Sequence, residues 1–259
     1  MWGPLSGSAS QVIAAATPFE PDPRRITGLL FAYNLDETDD GTRYPFDSKG
    51  PDLSTIINAP DDVEGIIGRA LQGDGTQYVK STDASIETLI DGLGNFSLGF
   101  WYKRTKTDTN SFQLGNFGYQ DPCVAFGGID SFYVWHRFYI NDSQSYWMYE
   151  YTPNTIWDFD DGEWHHFLYT FDGSLANDEK LTMYYDGVDM ETIIGTVTNS
   201  TSATAIDTTV SEMEIGANVD GHGPVSGSID LWGFWNWTMT AADVNYEYNG
   251  GAAQAFVAE

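Results

Sequence analysis

From Ile26 onward, apolar and polar residues alternate along the chain. Leu29, Phe31 and Tyr33 share one parity, with Leu30, Ala32 and Asn34 on the other, which predicts a first strand. In Asn95–Arg104, Phe96, Leu98, Phe100 and Tyr102 fall on one face, with Trp101 and Lys103 opposite. The same period marks Gly68–Tyr78, broken by the turn Gly73-Asp74-Gly75. It continues through Ser131–Ile140, Ser145–Tyr151, Trp164–Phe171, Lys180–Asp186, Ser211–Gly216 and Gly227–Trp237. Asp91-Gly92, Asp161-Gly162, Asp172-Gly173 and Asp186-Gly187 punctuate these runs at hairpin spacing. Some runs, FYVWHRFYI among them, are apolar on both parities, so those strands are covered on both sides or line a groove.

One short helix interrupts the pattern near the end. Thr240 is its N-cap, Asp243 completes a capping box, Met239 can staple onto Val244, and Asn249-Gly250-Gly251 supplies a left-handed stop. Short strands without a long helical period predict an all-β fold, an antiparallel β-sandwich forming one domain over residues 26–251. Residues 252–259 form a tail. Residues 1–25 carry Pro4, Pro18, Pro21 and Pro23 and end on Arg24 and Arg25, a composition that predicts an extended arm. Such an arm is either a loose terminus or an attachment to a partner subunit.

Composition narrows the function classes. Thirty-eight acidic side chains against 11 basic ones give a net charge of −27, which excludes a phosphate-binding surface for nucleic acid and docking on an anionic membrane. Aromatics at 15% exclude a disordered acidic chain. Cys123 is the lone cysteine, so no intrachain disulfide supports the fold. No basic residue precedes Arg24, and Val12–Ala16 is too short for the apolar core of a secretory signal. The expectation is a protein made in a host cytoplasm without passing the general secretion route.

Few residues suggest chemistry. Trp164-His165-His166 invites a metal reading, but adjacent strand residues point to opposite faces, so the imidazoles cannot converge on one ion. Glu212 and Glu214 share a strand face, as the paired carboxylates of a glycosidase would. Residues 131–157 are rich in rings. Trp135, Tyr139, Trp147, Tyr149, Tyr151 and Trp157 either form a stacking platform for glycans or fill a core or subunit interface.

Six segments, in order, resemble concanavalin A-like jelly rolls of the laminin-G/pentraxin kind, over roughly residues 27–251. They are LLFAYNLDETDDGTRYPFDSKG, GRALQGDGTQYVK, NFSLGFWYKRT, DGEWHHFLYTFDG with LTMYYDGVDM, EMEIGA, and GSIDLWGFWNWTMTAADVNYEYNGG. The resemblance implies that the His pair is a structural strand element and that Glu212 and Glu214 lie on a non-catalytic strand lacking the glycosidase's third acid. It also implies a structural Ca²⁺ held by Asp230 with backbone carbonyls near Asn34 and Gly73. The closing helix ending in YNGG is similar to laminin-G-like domains on tailed-virus particles. That similarity implies a non-enzymatic virion protein, oligomeric in the particle and displayed on its surface as capsid decoration or fibre component. The arm with Pro4, Pro18, Arg24 and Arg25 would join it to capsid or tail proteins, and the sandwich would contact host-surface glycans. A calcium-dependent carbohydrate-binding adhesin is the alternative, and a jelly-roll glycoside hydrolase the third.

Overall fold

The computed structural model describes residues 24–37, 41–104, 112–117, 124–130, 133–141, 144–151, 161–189, 203–207, 212–217 and 225–256; for strands between 112 and 151 it describes the backbone. The strands in chain order begin with β1 (Leu29–Tyr33), β2 (Thr55–Ile57), β3 (Asp61–Glu64), β4 (Arg69–Asp74) and β5 (Tyr78–Ser81). Then come β6 (Asn95–Arg104), β7 (Phe112–Phe117), β8 (Val124–Asp130), β9 (Tyr133–Asn141) and β10 (Gln144–Tyr151). The series ends with β11 (His165–Asp172), β12 (Leu181–Tyr185), β13 (Val188–Asp189), β14 (Met213–Ile215) and β15 (Ser226–Trp235). Among the described residues, the helices α1 (Arg24–Thr27), α2 (Ser85–Ile90) and α3 (Ala241–Tyr248) accompany them.

The strands form two antiparallel sheets in a sandwich. The first runs β13-β12-β11-β6-β15-β4-β3, with β1 also paired to β15; the second runs β10-β9-β8-β7-β14-β5-β2. Alternation places the rings as the pattern requires. Phe96, Leu98, Phe100 and Tyr102 of β6 join Phe167, Tyr169 and Phe171 of β11 in the core between the sheets. Phe96 stacks on both Phe171 and Phe234, at 5.1 and 5.4 Å between ring centroids.

The opposite parity of the first sheet is buried too. Leu29, Trp101, Leu168, Leu231 and Trp235 form a second cluster with Val244 of α3, Ala253 and Phe256. This explains why several strands are apolar on both parities: helix α3 and the C-terminal residues cover the outer face. The segment after 251 is therefore packed against the sandwich through Ala253 and Phe256. Helix α3 has the capping box expected of it, with the Thr240 hydroxyl accepting from the Asp243 N–H, and Asn249 is left-handed at φ 49°.

Arg25, which composition assigns to the arm, is buried in this outer layer. Its guanidinium meets Glu247 of α3 at 2.5 and 3.1 Å, donates to the carbonyl of Ala255, and lies over the Tyr246 and Phe256 rings. Its own carbonyl accepts the Trp235 indole N–H. One residue thus joins the start of the domain, the centre of the sheet and the segment that follows α3. Pro4 and Pro18 lie outside the described residues.

The two adjacent histidines diverge, as alternation requires. His166 is buried among Trp101 and Tyr248, and burial pushes its imidazole down to about 3, so it is neutral. His165 stacks on Tyr185 and sits between two carboxylates, with Nδ1 2.9 Å from Asp186 and Nε2 3.2 Å from Asp161. Burial lowers the His165 pKa, but Asp186 and then Asp161 outweigh it and hold it above the usual value.

Two predictions follow from these contacts. Arg25→Ala strands the buried Glu247 carboxylate and lowers unfolding stability by about 3–5 kcal/mol in denaturant titrations, whereas Arg25→Met with Glu247→Leu recovers most of the loss. For His165, the raised folded pKa means its stabilisation is fully present below the unfolded pKa of about 6.5 and is lost as pH rises through the folded value. Melting curves across that interval will show a decline of about 1 kcal/mol that His165→Gln removes.

Candidate functional site

The first region of interest lies where β15 changes partners. Residues 226–229 of β15 pair with β4, and 232–235 pair with β1; between them lies a bulge at Asp230–Gly233, with Leu231 at φ 48°. The bulge points the fully buried Asp230 carboxylate at the turn between β3 and β4. Oδ2 accepts the N–H groups of Ile66 (2.9 Å) and Ile67 (3.2 Å), and Oδ1 accepts that of Leu231 (2.7 Å). A Cβ at Gly65 would lie 2.5 Å from Asp230 Oδ2, so only glycine allows this approach.

Burial is the stronger influence on Asp230. It pushes the carboxyl up to about 8, aided by the nearby charge of Asp36 and only partly opposed by the amides of Ile67, Leu231 and Ile66. Asp36 holds the far end of the same turn, accepting the Arg69 N–H at 2.7 Å.

The expected calcium set assembles only in part. Asn34 follows β1 directly, so its backbone lies beside the bulge near Asp230. Gly73 pairs with Gly227, three positions along β15 from Asp230 (230 − 227), at the other end of β4. Among the described residues, no three His, Cys, Asp or Glu side chains form a metal-holding group.

The second region is the β9–β10 hairpin at the edge of the second sheet. Its register pairs Trp135 with Tyr149, Arg137 with Trp147, Tyr139 with Ser145 and Tyr133 with Tyr151. Directly opposed residues share a face, so Trp135, Tyr139, Trp147, Tyr149 and Tyr151 are brought to one side of the ribbon. Ladders from Val79 through Ile215, Gly115, Phe126 and Gly128 to Trp135 show that this is the inner side of the sheet. Trp157 lies outside the described residues.

The carboxylates suited to a glycosidase are differently engaged. Lys80 of β5 lies 4.0 Å from Glu212 and 3.7 Å from Glu214, and Glu214 is fully buried.

A third region carries no motif in the sequence. Asn34, Leu35, Asp36, Glu37, Tyr44 and Phe46 surround a concavity of ≈ 270 Å³. Here Leu35 turns the chain at φ 58°, and Glu37 Oε1 accepts the Tyr44 N–H at 2.7 Å. The sequence signal for this pocket is slight, an Asn-x-Asp-Glu run leaving a strand and an aromatic pair seven to nine residues beyond Glu37 (44 − 37, 46 − 37).

Solved structures share this fold. The binding domain of a Paraclostridial mosquitocidal protein superposes with a TM-score of 0.62 at 12% identity, over 87% of this chain and 52% of that one. The binding domain of botulinum neurotoxin serotype D/C gives 0.59 at 12% identity, over 86% and 52%. Domain 4 of an extracellular arabinanase from Geobacillus stearothermophilus, solved with arabinotriose, gives 0.50 at 18% identity, over 87% and 98%. The chain spans about half the length of the two toxin binding domains, and at these identities the likeness is one of fold. No curated protein sequence matches the chain. The laminin-G family model of the concanavalin A-like lectin/glucanases superfamily matches residues 73–245, from the end of β4 into α3. The chain belongs to that family.

Proposed function

We propose that the chain is a non-enzymatic, glycan-binding jelly roll displayed on the outside of a tailed virus, with the ring-bearing face of the β9–β10 hairpin as its recognition surface. The observation that carries it is the register: five of the six rings singled out as a platform fall on one face of an edge ribbon. Strands β9 and β10 end the second sheet at the side away from β2, so the face they carry lies at an edge of the sandwich. Rings near polar groups suit a sugar's apolar face and hydroxyl edge, and the register pairs Trp147 with Arg137 on this face.

The non-enzymatic part rests on Glu212 and Glu214. They share one ammonium group, and the burial of Glu214 withholds it from a substrate. The viral part rests on the YNGG-ending helix, similar to those of laminin-G-like virion domains, and on an acidic body that resists association in solution. In this reading the segment before Arg25 joins the domain to capsid or tail proteins, and the domain is oligomeric in the particle.

Calcium enters the proposal at one place. Asp230, with a backbone carbonyl near Asn34, would hold it beside Asp36, where the ion would favour the ionised form of the buried carboxyl and fix the β3–β4 turn.

A glycan array probed with the purified chain tests the reading directly. Binding that falls about tenfold in the Trp135→Ala, Trp147→Ala double variant is expected; failure to bind any polysaccharide would remove the glycan-binding function. For calcium, melting in 1 mM Ca²⁺ against excess EDTA is expected to differ by about 5 °C in the native chain and not in Asp230→Asn. Identical melting of the native chain in both media contradicts the calcium site.

A further inference from the structure

Helix α3 ends on the one Asn-Gly pair in the sequence, Asn249-Gly250. An asparagine side chain is prone to loss of its amide. A following glycine favours that loss, because without a Cβ the attacking peptide nitrogen is uncrowded. Both residues are exposed, and nothing packs within 4 Å of where a Gly250 Cβ would lie. The chemistry needs water alone. The Gly250 nitrogen gives its proton to solvent base and attacks Asn249 Cγ. A C–N bond forms, a succinimide ring closes, and the side-chain nitrogen leaves with solvent protons as ammonia. Water then opens the ring at either carbonyl, leaving aspartate or, with the main chain rerouted through the side chain, isoaspartate.

The fold guards this pair and also depends on it. Asn249 is left-handed at φ 49° and ψ 40°, angles that hold the Gly250 nitrogen away from the Asn249 side chain, so ring closure requires the cap to open. Asn249 Nδ2 donates to the Ala253 carbonyl at 2.9 Å, and the Asn249 carbonyl accepts the Ala252 N–H at 3.3 Å. These bonds turn the chain back onto the sandwich. There Ala253 and Phe256 join the outer cluster, and the carbonyls of Gln254 and Ala255 accept from Arg25. Aspartate has no N–H for Ala253 and places a negative charge at the C-terminal end of α3, where the helix dipole disfavours it. Isoaspartate lengthens the main chain inside the turn and removes the left-handed cap altogether.

We propose that Asn249 is a modification site, the position where this chain deamidates spontaneously, and that conversion there releases the clamp formed by residues 252–256. Opening of the cap sets the rate. The product keeps the cap from closing as before, so the loosening accumulates with age. Release draws the Phe256 ring away from Trp235 and Phe46, which it meets at 6.0 and 6.2 Å, and opens the apolar outer face of the first sheet. The inference is independent of glycan recognition, because the proposed ribbon belongs to the second sheet.

The test is mass-spectrometric peptide mapping of the full chain, aged in mildly alkaline buffer below its melting temperature and, in parallel, in denaturant. Conversion is expected first at Asn249, with isoaspartate among the products, and about tenfold more slowly in the folded chain than in the denatured one. The aged chain and Asn249→Asp are both expected to melt about 2–4 °C below the fresh protein and to exchange the amides of residues 252–256 faster. Asn249→Gly keeps the left-handed angles but carries no amide to expel, and is expected to show no such drift with age. Earlier conversion at another asparagine would overturn the assignment. Equal rates in the folded and denatured chains would overturn control by the cap. A converted chain with unchanged melting and exchange would overturn release of the clamp, as would a drift that persists in Asn249→Gly.

Discussion

Strand β15 is buried at all ten of its positions, and the rest of the molecule is arranged around that constraint. A strand with no solvent-facing side must satisfy both edges and both faces at once. Along one edge it pairs with β6, and the other edge is divided between β4 and β1. Where that edge passes from β4 to β1, β15 carries a bulge at Asp230–Gly233, recorded in its ladder with β6. It brings a carboxylate into the interior, where the amides of Leu231, Ile66 and Ile67 gather on it. Hydrogen bonds to a charged group are worth about 1.5–3 kcal/mol each, while withdrawing a carboxylate from water costs several. Burial is the larger effect and holds the Asp230 carboxyl above the ordinary carboxylate range. The same carboxylate fixes the β3–β4 turn, so the partner change and the rim above it form one unit.

Burial on both faces also decides where recognition can occur. The inner face of the first sheet packs on the second sheet, and its outer face packs under α3 and Phe256. Arg25 and Glu247 close that outer layer with a paired charge that is itself withdrawn from solvent. The middle of the first sheet therefore offers no open surface, and the proposed recognition ribbon, β9–β10, lies at the edge of the second sheet. The acid-rich composition is consistent with this division, because an aromatic, nearly uncharged interior leaves the acidic residues to turns and surface.

Much of the fold was legible because the strongest alternation belongs to the most buried strands. The expected run Asn95–Arg104 coincides with β6, and α3 begins and ends where its capping residues indicate. Strand β3, with the sequence Asp-Asp-Val-Glu, was hidden because an edge strand favours the charges that erase the period. Strands β7 and β8 contain glycines, which weaken a strand signal, and α2 is too short to show a helical one. At the sites, the divergence of His165 and His166 follows from period two alone. The separation of Gly73 from Asp230 could not be read, since it depends on register between β4 and β15. The pocket depends on how the chain turns at Leu35, which no spacing encodes. Arg25 looked like part of an arm because its partners lie more than 200 residues away in sequence.

The central claim is that a fully buried β15 organises the sandwich while recognition sits at the sandwich edge, and native-state hydrogen exchange followed by mass spectrometry tests it most directly. The account predicts that amides of residues 226–235 exchange only through global unfolding, more slowly than those of the β3–β4 hairpin, and that adding a bound glycan protects rim peptides alone. Exchange of the β15 amides as fast as those of the hairpin, or ligand protection concentrated on β15, would contradict it.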